Sequence, residues 1–477
     1  MTEQSQVAAP AGAATRAVQN SPRLILTILS LAGFMGALDL FIVNVAFDKI
    51  AQSFGGSSTA NVSWVLNGYA IIFAALLVPF GRLADKIGRK NMFLSGLALF
   101  TLASAACAAA PGLWWLVGFR LLQAAGAAAL TPTSLGLLIA SAPPGKRIPY
   151  VRTWSTVSAV AAAAGPVLGG LLVTASWRWV FLVNLPVGII ACIAARRVVP
   201  DSRDAAVTKI PDLAGAGLLT AGVGALALAI VKGGGWGWGS AGTIASFAAA
   251  AVLLAWFAWR AEHHPVPVVD PALYRVRTFA AANIALLAFS LGLAGYLLMI
   301  VLWLQNVWHW STLATGFGVA PGPAMVPVIA VLTQRLSGKI QPGILTSAGC
   351  ALFAAAAVMN LALLGPHGSS YPSHLLPAQL VAGLGIGLAL PTLMAAATAG
   401  LPPHRASTGS GVVNMTRQIG FVLGVAIVVA ILGTPATYAA AHSAYGHAWW
   451  MNAAVELAAA AACLGLLRRR ATAAGPA

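Results

Sequence analysis

The sequence predicts an all-α polytopic membrane protein, and three observations carry that prediction. The 477 residues are 59% hydrophobic and only 8% charged, with a mean hydropathy of +0.85. A soluble domain carries about 25% charged residues, so no water-facing surface of ordinary area can be built from this chain. Fourteen apolar stretches divide it, each near the roughly 20 residues that a helix needs to cross a bilayer. The 27 Lys and Arg, against 10 Asp and Glu, fall mostly in alternate connections between those stretches. Cytoplasmic loops of membrane proteins have that pattern, so the net charge of +17 reports topology and not nucleic-acid binding.

Taken in order, a segment rich in Ala, Gly, Ser and Gln runs to about Pro22 and reads as disordered. The first span, 24–46, exceeds the roughly 7–15 apolar residues of a signal sequence and is therefore retained. Spans two to six follow at 62–83, 92–110, 113–140, 151–174 and 180–198. The seventh and eighth, 212–232 and 242–259, flank "VKGGGWGWGSAG", a Gly/Trp-rich turn that is also compatible with a re-entrant pair. Spans nine to fourteen lie at 279–303, 312–333, 343–364, 375–400, 407–433 and 446–467.

One set of connections carries "GRLADKIGRKN", then Lys146, Arg147, Arg196, Arg197, Arg203, Lys209, Arg260, Arg275, Arg277, Arg335, Lys339, Arg405 and Arg468 to Arg470. The other set carries Lys49, Arg178 and Lys232. This asymmetry predicts that both termini are cytoplasmic. Trp177, Trp179, Trp236, Trp238, Trp308, Trp310, Trp449 and Trp450 gather at the opposite ends, where an aromatic belt is expected.

A faint repeat relates the halves. "GRLADKIGRKN" after span two and "QRLSGKIQPGI" after span ten share Arg-Leu and Lys-Ile at a shift of 253 residues. Spans one to six thus correspond to spans nine to fourteen, an arrangement typical of alternating-access transporters with a site between the halves. The expected organisation is a cytoplasmic N-terminus over 1–22, a six-helix bundle over 23–200 and inserted helices over 201–265. A second bundle over 266–468 and a cytoplasmic tail over 469–477 complete it.

Six motifs carry a family resemblance. "GRLADKIGRKN", through Gly81, Asp85, Gly88, Arg89 and Lys90, is similar to the loop between spans two and three of the major facilitator superfamily. "LDLFIVNVAF" resembles the first span of its proton antiporters through Leu38, Asp39, Asn44 and Ala46, departing at Phe41 and Asp48, where Thr and Pro are usual. "RLLQAAGAA" is similar to the fourth span through Arg120, Gln123 and Gly126, with Ala124 in place of Gly. "AAAAGPVLGG" resembles the fifth-span antiporter motif through Gly165, Pro166, Gly169 and Gly170, with Ala161 replacing its leading Gly. "WRWVFLVNLPVG" and "STGSGVVNMTRQIGFVLGVA" resemble segments of the fourteen-span subgroup.

The chain therefore resembles, over nearly its whole length, the fourteen-span drug:proton antiporters of the major facilitator superfamily. The resemblance implies the major facilitator fold, with two six-helix bundles plus two inserted helices. It implies a proton-coupled exporter of amphiphilic drugs or antibiotics, working by alternating access as a monomer in the inner (cytoplasmic) membrane. The partners implied are a small amphiphilic substrate, protons and the bilayer, with no cofactor and no nucleic acid. A lipid or endogenous-metabolite translocator on the same scaffold is the alternative.

Residue chemistry adds expectations of its own. Asp39 lies about fifteen residues into the outward-running first span, and Arg120 about seven residues from the outer end of the inward-running fourth. At ~1.5 Å per residue the two reach comparable depths. Burial alone favours the neutral form of a carboxylic acid, whereas a neighbouring guanidinium favours the ionised form. Asp39 is thus expected to carry the coupling proton and Arg120 to set its proton affinity. Gln123, one turn from Arg120, is expected to hydrogen-bond both. A static salt bridge is the plainer reading, but intramembrane acids usually mark function.

In the loop, Asp85 is expected to pair with Arg89 or a helix N-terminus as a latch, since an exposed pair is worth only ~0–1 kcal/mol. Gly165, Gly169 and Gly170 form a small-residue face for close helix crossing, and Pro166 introduces a bend. The resemblance implies that this bend seals one side and so favours export. Arg417 and Glu456 sit near mid-depth in spans thirteen and fourteen and are expected to approach each other or to share waters in the cavity, a structural pair in preference to a second proton site, because an unpaired charge there costs ~2.5–3.5 kcal/mol or more. Asn44, Asn67, Tyr69, Gln123, Trp154, Ser158, Asn283, Tyr296, Gln305 and Met415 are candidates for lining an apolar pocket with few polar groups.

Other chemistries find little support. "GLGIGLALP" and "GGGWGWG" are Gly-rich, but no GxxxxGK[ST] occurs, which argues against an ATP-driven pump. The histidines lie in loops or at span ends without an HExxH pattern, so no metal site is expected. Cys107, Cys192, Cys350 and Cys463 fall in apolar runs without a CxxC pair and read as packing residues. No paired carboxylates or nucleophile–base arrangement suggests an enzyme.

Overall fold

An apolar run immersed in lipid satisfies its backbone most simply by closing each hydrogen bond within itself. Accordingly, every element of the computed structural model is helical among the described residues, 21–143, 145–203, 211–336, 339–364, 371–401, 403–433 and 437–466. The N-terminal segment 1–20, Lys209, Arg468 to Arg470 and the tail 469–477 lie outside them.

In chain order the long helices are α1 (Pro22–Ser53), α2 (Trp64–Ile87), α3 (Arg89–Ala108), α4 (Leu113–Ser141), α5 (Arg147–Ala175) and α6 (Asn184–Val198). α7 (Leu213–Trp236) and α8 (Ala241–His263) follow, then α9 (Arg277–Leu302), which runs on into a π-helical turn at Trp303–Val307. α10 is broken into Thr312–Val319 and Pro321–Leu336, and α11 (Pro342–Leu363), α12 (Leu376–Ala399), α13 (Pro403–Leu432) and α14 (Tyr438–Cys463) complete the set. On either side of the Gly/Trp-rich stretch, α7 and α8 are each long and apolar enough to cross a membrane.

Among the described residues, thirteen helices have both the length and the apolarity of membrane spans. α14 is the exception. Its 26 residues extend ~39 Å at 1.5 Å per residue, ample for a crossing. Its first half, however, carries Tyr438, His442, Ser443, Tyr445 and His447, which dilute the apolar signal. The fourteenth span therefore rests on length and on packing against α9 and α11.

Two sets of helices pack chiefly among themselves. In the first, α3 lies on α4, α1 on α5 and α2 on α4; in the second, α11 lies on α12, α9 on α13 and α11 on α14. Glycines build matching crossings in each. A Cβ on Gly126 would stand 2.6 Å from the Phe100 nitrogen, and one on Gly96 2.7 Å from Ala129 Cβ. In the second set, a Cβ on Gly385 would stand 2.6 Å from the Gly349 carbonyl oxygen. Gly96 and Gly349 are 253 positions apart, the same shift that relates the two loop motifs (349 − 96).

The two sets meet along two seams, α2 against α13 and α5 against α10. α7 covers the first seam by touching both α2 and α13, and α8 packs on α7. Asp212 anchors this inserted pair: it caps α7 at the Gly215 nitrogen and accepts from Arg260 Nε of α8 at 2.8 and 2.9 Å. Lys232 Nζ donates to Asn61 Oδ1 at 2.6 Å, tying the other end of α7 to the start of α2.

The ends of the assembly differ in chemistry. One end, here the basic end, holds the loop motif; the other holds most of the tryptophans. Trp179, Trp236, Trp238 and Trp450 are exposed there, as a belt requires. Trp177, Trp308 and Trp449 are buried instead, and Trp310 packs on Trp308 and Tyr371. Half of the expected belt is therefore interior packing.

Candidate functional site: a buried ion pair behind a cleft

α1, α3, α4 and α6 converge on Asp39. Arg120 and Gln123 come from one face of α4, Ser104 from α3 and Asn184 from the first residue of α6. Arg120 Nη1 donates to Asp39 Oδ2 at 2.6 Å, with both side chains fully buried. The other carboxylate oxygen accepts from Gln123 Nε2 at 2.8 Å and Asn184 Nδ2 at 3.2 Å. Gln123 returns its Oε1 to Arg120 Nη1 at 2.7 Å and donates to Ser104 Oγ at 2.8 Å. Arg120 Nε donates to the Val65 carbonyl of α2 at 3.2 Å, and the guanidinium lies 4.1 Å from the Tyr69 ring centroid. One buried cation and one buried anion are thus matched and almost fully hydrogen-bonded, the condition under which such a pair survives in an apolar interior.

Arg120 Nη2 is the exception, buried and without a hydrogen-bond partner among the described residues. Arg120 also lines a narrow cleft between the two halves, together with Leu40, Asn44, Asn67, Leu297 and Phe421. Asp39 does not line it. The carboxylate stands behind the guanidinium, so the cleft meets the cation first.

The remaining cavity candidates divide. Asn44 and Asn67 line the cleft. Tyr69 and Gln123 belong to the ion-pair cluster. Trp154 and Ser158 of α5 instead press on α1, within 2.9 and 3.2 Å of a Cβ on Gly33. Asn283 bonds its own helix at the Phe279 carbonyl. Tyr296 donates to Gln379 Oε1 at 3.2 Å inside the second bundle, and Met415 is buried. Gln305 crosses between the halves, donating to the Val45 carbonyl at 3.1 Å. A depth estimate gives the height of a residue but not the side of the helix on which it stands, so these positions were not separable by sequence.

The loop motif ties α2, α3, α4 and the end of α6 together at the basic end. Asp85 and Arg89 pair at 2.7 Å across one helical turn. Arg89 also donates to Ser202 Oγ at 3.3 Å and lies over Gly136 of α4. Lys90 Nζ donates to the Arg196 carbonyl at 2.9 Å, while Gly81 lets α2 approach Pro132 of α4. Arg82 reaches the connector before α9, donating to the Pro267 carbonyl at 3.2 Å. The motif's link to the second half thus runs through Arg82, which charge counting reads only as a topology signal.

Gly88 joins α2 to α3 at φ +112, a conformation that L residues rarely adopt, and a Cβ there would stand 3.1 Å from the Asp201 carboxylate. Gly88→Ala is expected to cost ~1–3 kcal/mol and to lower the apparent melting temperature of the purified protein. An unchanged melting temperature would remove the strain argument.

In α5, Gly165 and Gly169 pack on Phe41 and Ile42 of α1, and Gly170 packs on α10, where a Cβ would meet the Thr312 carbonyl oxygen at 2.8 Å. The small-residue face therefore serves two crossings, one inside the first half and one across the seam.

Arg417 and Glu456 do not pair. No ion pair joins them among the described residues, and both Glu456 oxygens and Arg417 Nε lack hydrogen-bond partners. The reason is rotational. Arg417 precedes the cleft-lining Phe421 by one turn of α13, whereas Glu456 faces Gly292 of α9, where a Cβ would collide with its carboxyl group.

Three comparisons bear on this arrangement. The sequence profile of the Major Facilitator Superfamily matches residues 29–425. The chain is 33% identical over 411 residues to the multidrug resistance protein Stp of Mycobacterium tuberculosis, covering 86% of this chain and 75% of that protein. It is 31% identical over 454 residues to the methylenomycin A resistance protein of Bacillus subtilis, covering 94% and 96%. In fold it is similar to the crystal structure of an auto-inhibited POT family peptide transporter, with a TM-score of 0.69 at 16% identity, over 95% of this chain and 99% of the other.

Proposed function

The chain belongs to the major facilitator superfamily, and from that premise we propose that it is a proton-coupled secondary active exporter of amphiphilic drugs or antibiotics. The relatives named for multidrug and methylenomycin A resistance support the substrate class. The observation that carries proton coupling is the sealed Asp39–Arg120 pair standing directly behind a cleft lined by both halves.

The coupling follows from charge. With Asp39 ionised the pair is neutral, and the cleft accepts a cationic or dipolar amphiphile. A proton arriving at Asp39 cancels the carboxylate and leaves one unit of positive charge on Arg120 at the cleft wall. That charge disfavours a cation in the cleft and loosens Arg120 from α1, so proton entry and substrate departure are linked. Gln123 and Asn184 hold the acid in place in both states through the oxygen that Arg120 does not use. The energy is adequate: one charge through 100 mV supplies ~2.3 kcal/mol, and one pH unit adds ~1.4 kcal/mol. Together these sustain a substrate gradient between a hundredfold and a thousandfold.

The positive-inside rule orients the basic end toward the cytoplasm, with both termini there. Reporter fusions after Arg277 and Lys339 are expected to read cytoplasmic, and a fusion after Lys232 external. A cytoplasmic reading after Lys232 would overturn the paired crossing of α7 and α8. The functional test is efflux of a fluorescent amphiphilic cation from cells with and without the gene. Efflux that a protonophore abolishes supports the proposal; efflux that persists without a proton gradient rejects the coupling. A panel that shows no change in drug susceptibility but altered lipid distribution would favour a lipid translocator.

A further inference from the structure

The second bundle hides a file of polar atoms that the coupling scheme does not use. Tyr445, Trp449, Asn452 and Glu456 recur at four-, three- and four-residue spacing, so they share one face of α14 over about 16 Å. α9 meets that face in antiparallel order. Trp303 packs edge-on to Tyr445 with centroids 4.9 Å apart, Tyr296 to Trp449 at 5.4 Å, and the Gly292 carbonyl accepts from Asn452 Nδ2 at 2.6 Å. Gly292 also makes the room into which the Glu456 carboxyl group projects.

Along this face most of the other side-chain polar atoms are unmatched. Trp303 Nε1, Trp449 Nε1, Asn452 Oδ1 and both oxygens of Glu456 are buried without a hydrogen-bond partner among the described residues, and the Asn360 amide stands beside Tyr296 next to them. The file begins at the aromatic end in a small pocket lined by Trp303, Asn360, His442, Tyr445 and Trp449. It ends at Glu456, which is fully buried.

Buried polar groups are almost always satisfied, by water where the protein offers nothing. A fully buried ionised carboxylate without a cation is far costlier than a neutral acid. The ionisable groups near Glu456 are the thiols of Cys350 on α11 and Cys463 on α14, and neither is a cation. α9 contributes Gly292 at this level, and the only cation within the membrane part of α13, Arg417, is not paired with it. We propose that Glu456 is a second protonation site, held as the neutral acid in this conformation and reached from the aromatic-end pocket by a file of water between α9, α11 and α14. Its proton exchanges with the aromatic-end solvent through the second bundle, independently of the cleft and of Asp39.

Infrared difference spectra of the purified protein in light and heavy water test this without any transport assay. A deuterium-sensitive carboxylic-acid stretch is expected at neutral pH, lost in Glu456→Gln and retained in Asp39→Asn. Asn360→Leu, which plugs the file near its mouth, is expected to slow deuteration of that band at least tenfold. A band that survives Glu456→Gln, or the absence of any such band in the unmodified protein, overturns the protonation site. Unchanged deuteration in Asn360→Leu overturns the file. Should Glu456→Gln fail to fold, Asn452→Leu is expected to shift the band by removing the neighbouring amide; an unshifted band counts against the assignment. Retention of the band in Asp39→Asn separates this proposal from the coupling scheme, since either can fail while the other stands.

Discussion

Asp39→Asn is expected to abolish proton-driven efflux, by at least a hundredfold, while the protein still folds and inserts. Asparagine nearly matches the shape of the protonated acid. Its amide oxygen can accept from Gln123 and Asn184, the two donors that hold one side of the carboxylate. It carries no charge to release, so the cluster is fixed in the state that proton entry normally produces, with Arg120 unneutralised. Removing one member of a buried ion pair commonly costs 3–5 kcal/mol. Here Arg120 keeps the Val65 carbonyl, Gln123 Oε1 and the Tyr69 ring, which spread that cost. Yield should fall, but not to zero. In inverted vesicles an imposed pH gradient should drive no uptake of an amphiphilic cation, and adding substrate should release no protons. Ordinary pH-dependent uptake by Asp39→Asn vesicles, with ordinary proton release, would end the proposed mechanism. Arg120→Ala is not an equivalent test, because it both frees the carboxylate and opens the wall of the cleft.

Asp39, Arg120 and Gln123 were legible in the sequence because charge inside an apolar run is rare and costly, and because two depths can be compared by counting residues. Ser104 and Asn184 were not. Neutral polar side chains recur in many spans, and nothing in their spacing distinguishes a cluster member from a residue that bonds its own helix, as Asn283 does. Asn184 lies within "WRWVFLVNLPVG", but that segment marks the resemblance to a subgroup and carries no sign of which side chains are buried. The same counting misled for Arg417 and Glu456, which share a height but not a facing surface. Cleft lining failed for a related reason. Whether a side chain faces the seam or its own bundle depends on helix rotation, and α5 shows how little pattern that leaves: its Trp154 and Ser158 turn to α1. The halves themselves were visible, because the shift that relates the loop motifs also relates Gly96 to Gly349 at their helix crossings.

Gly170→Val is expected to cut efflux at least tenfold, by mechanics and not by charge. Gly170 and Gly316 face each other where α5 of the first half meets α10 of the second. A Cβ on Gly170 would stand 2.8 Å from the Thr312 carbonyl oxygen and 3.2 Å from the Leu313 Cα. Both are backbone atoms at the start of α10, so no side-chain rotation relieves the clash. A Cβ on Gly316 would in turn strike the Pro166 carbonyl oxygen, and α10 is already broken between Val319 and Pro321. Overpacking of this kind costs ~1–3 kcal/mol. Because the contact joins the two halves, the penalty falls on conformations that close this seam and spares those that part it. About 2.8 kcal/mol suffices to shift such an equilibrium a hundredfold. Folding should be less affected, since Gly165 and Gly169, which pack α5 onto α1 within the first half, are untouched. The variant should therefore show near-normal yield, efflux below a tenth of the unmodified rate, and faster thiol labelling from the aromatic side at a cysteine introduced in place of Asn44. Gly165→Val makes the contrast: it strikes Phe41 Cβ at 2.8 Å inside one bundle and should lower yield in proportion to activity. If Gly170→Val transports normally, or loses activity only in step with its yield, the α5–α10 contact is packing alone and takes no part in opening and closing the cleft.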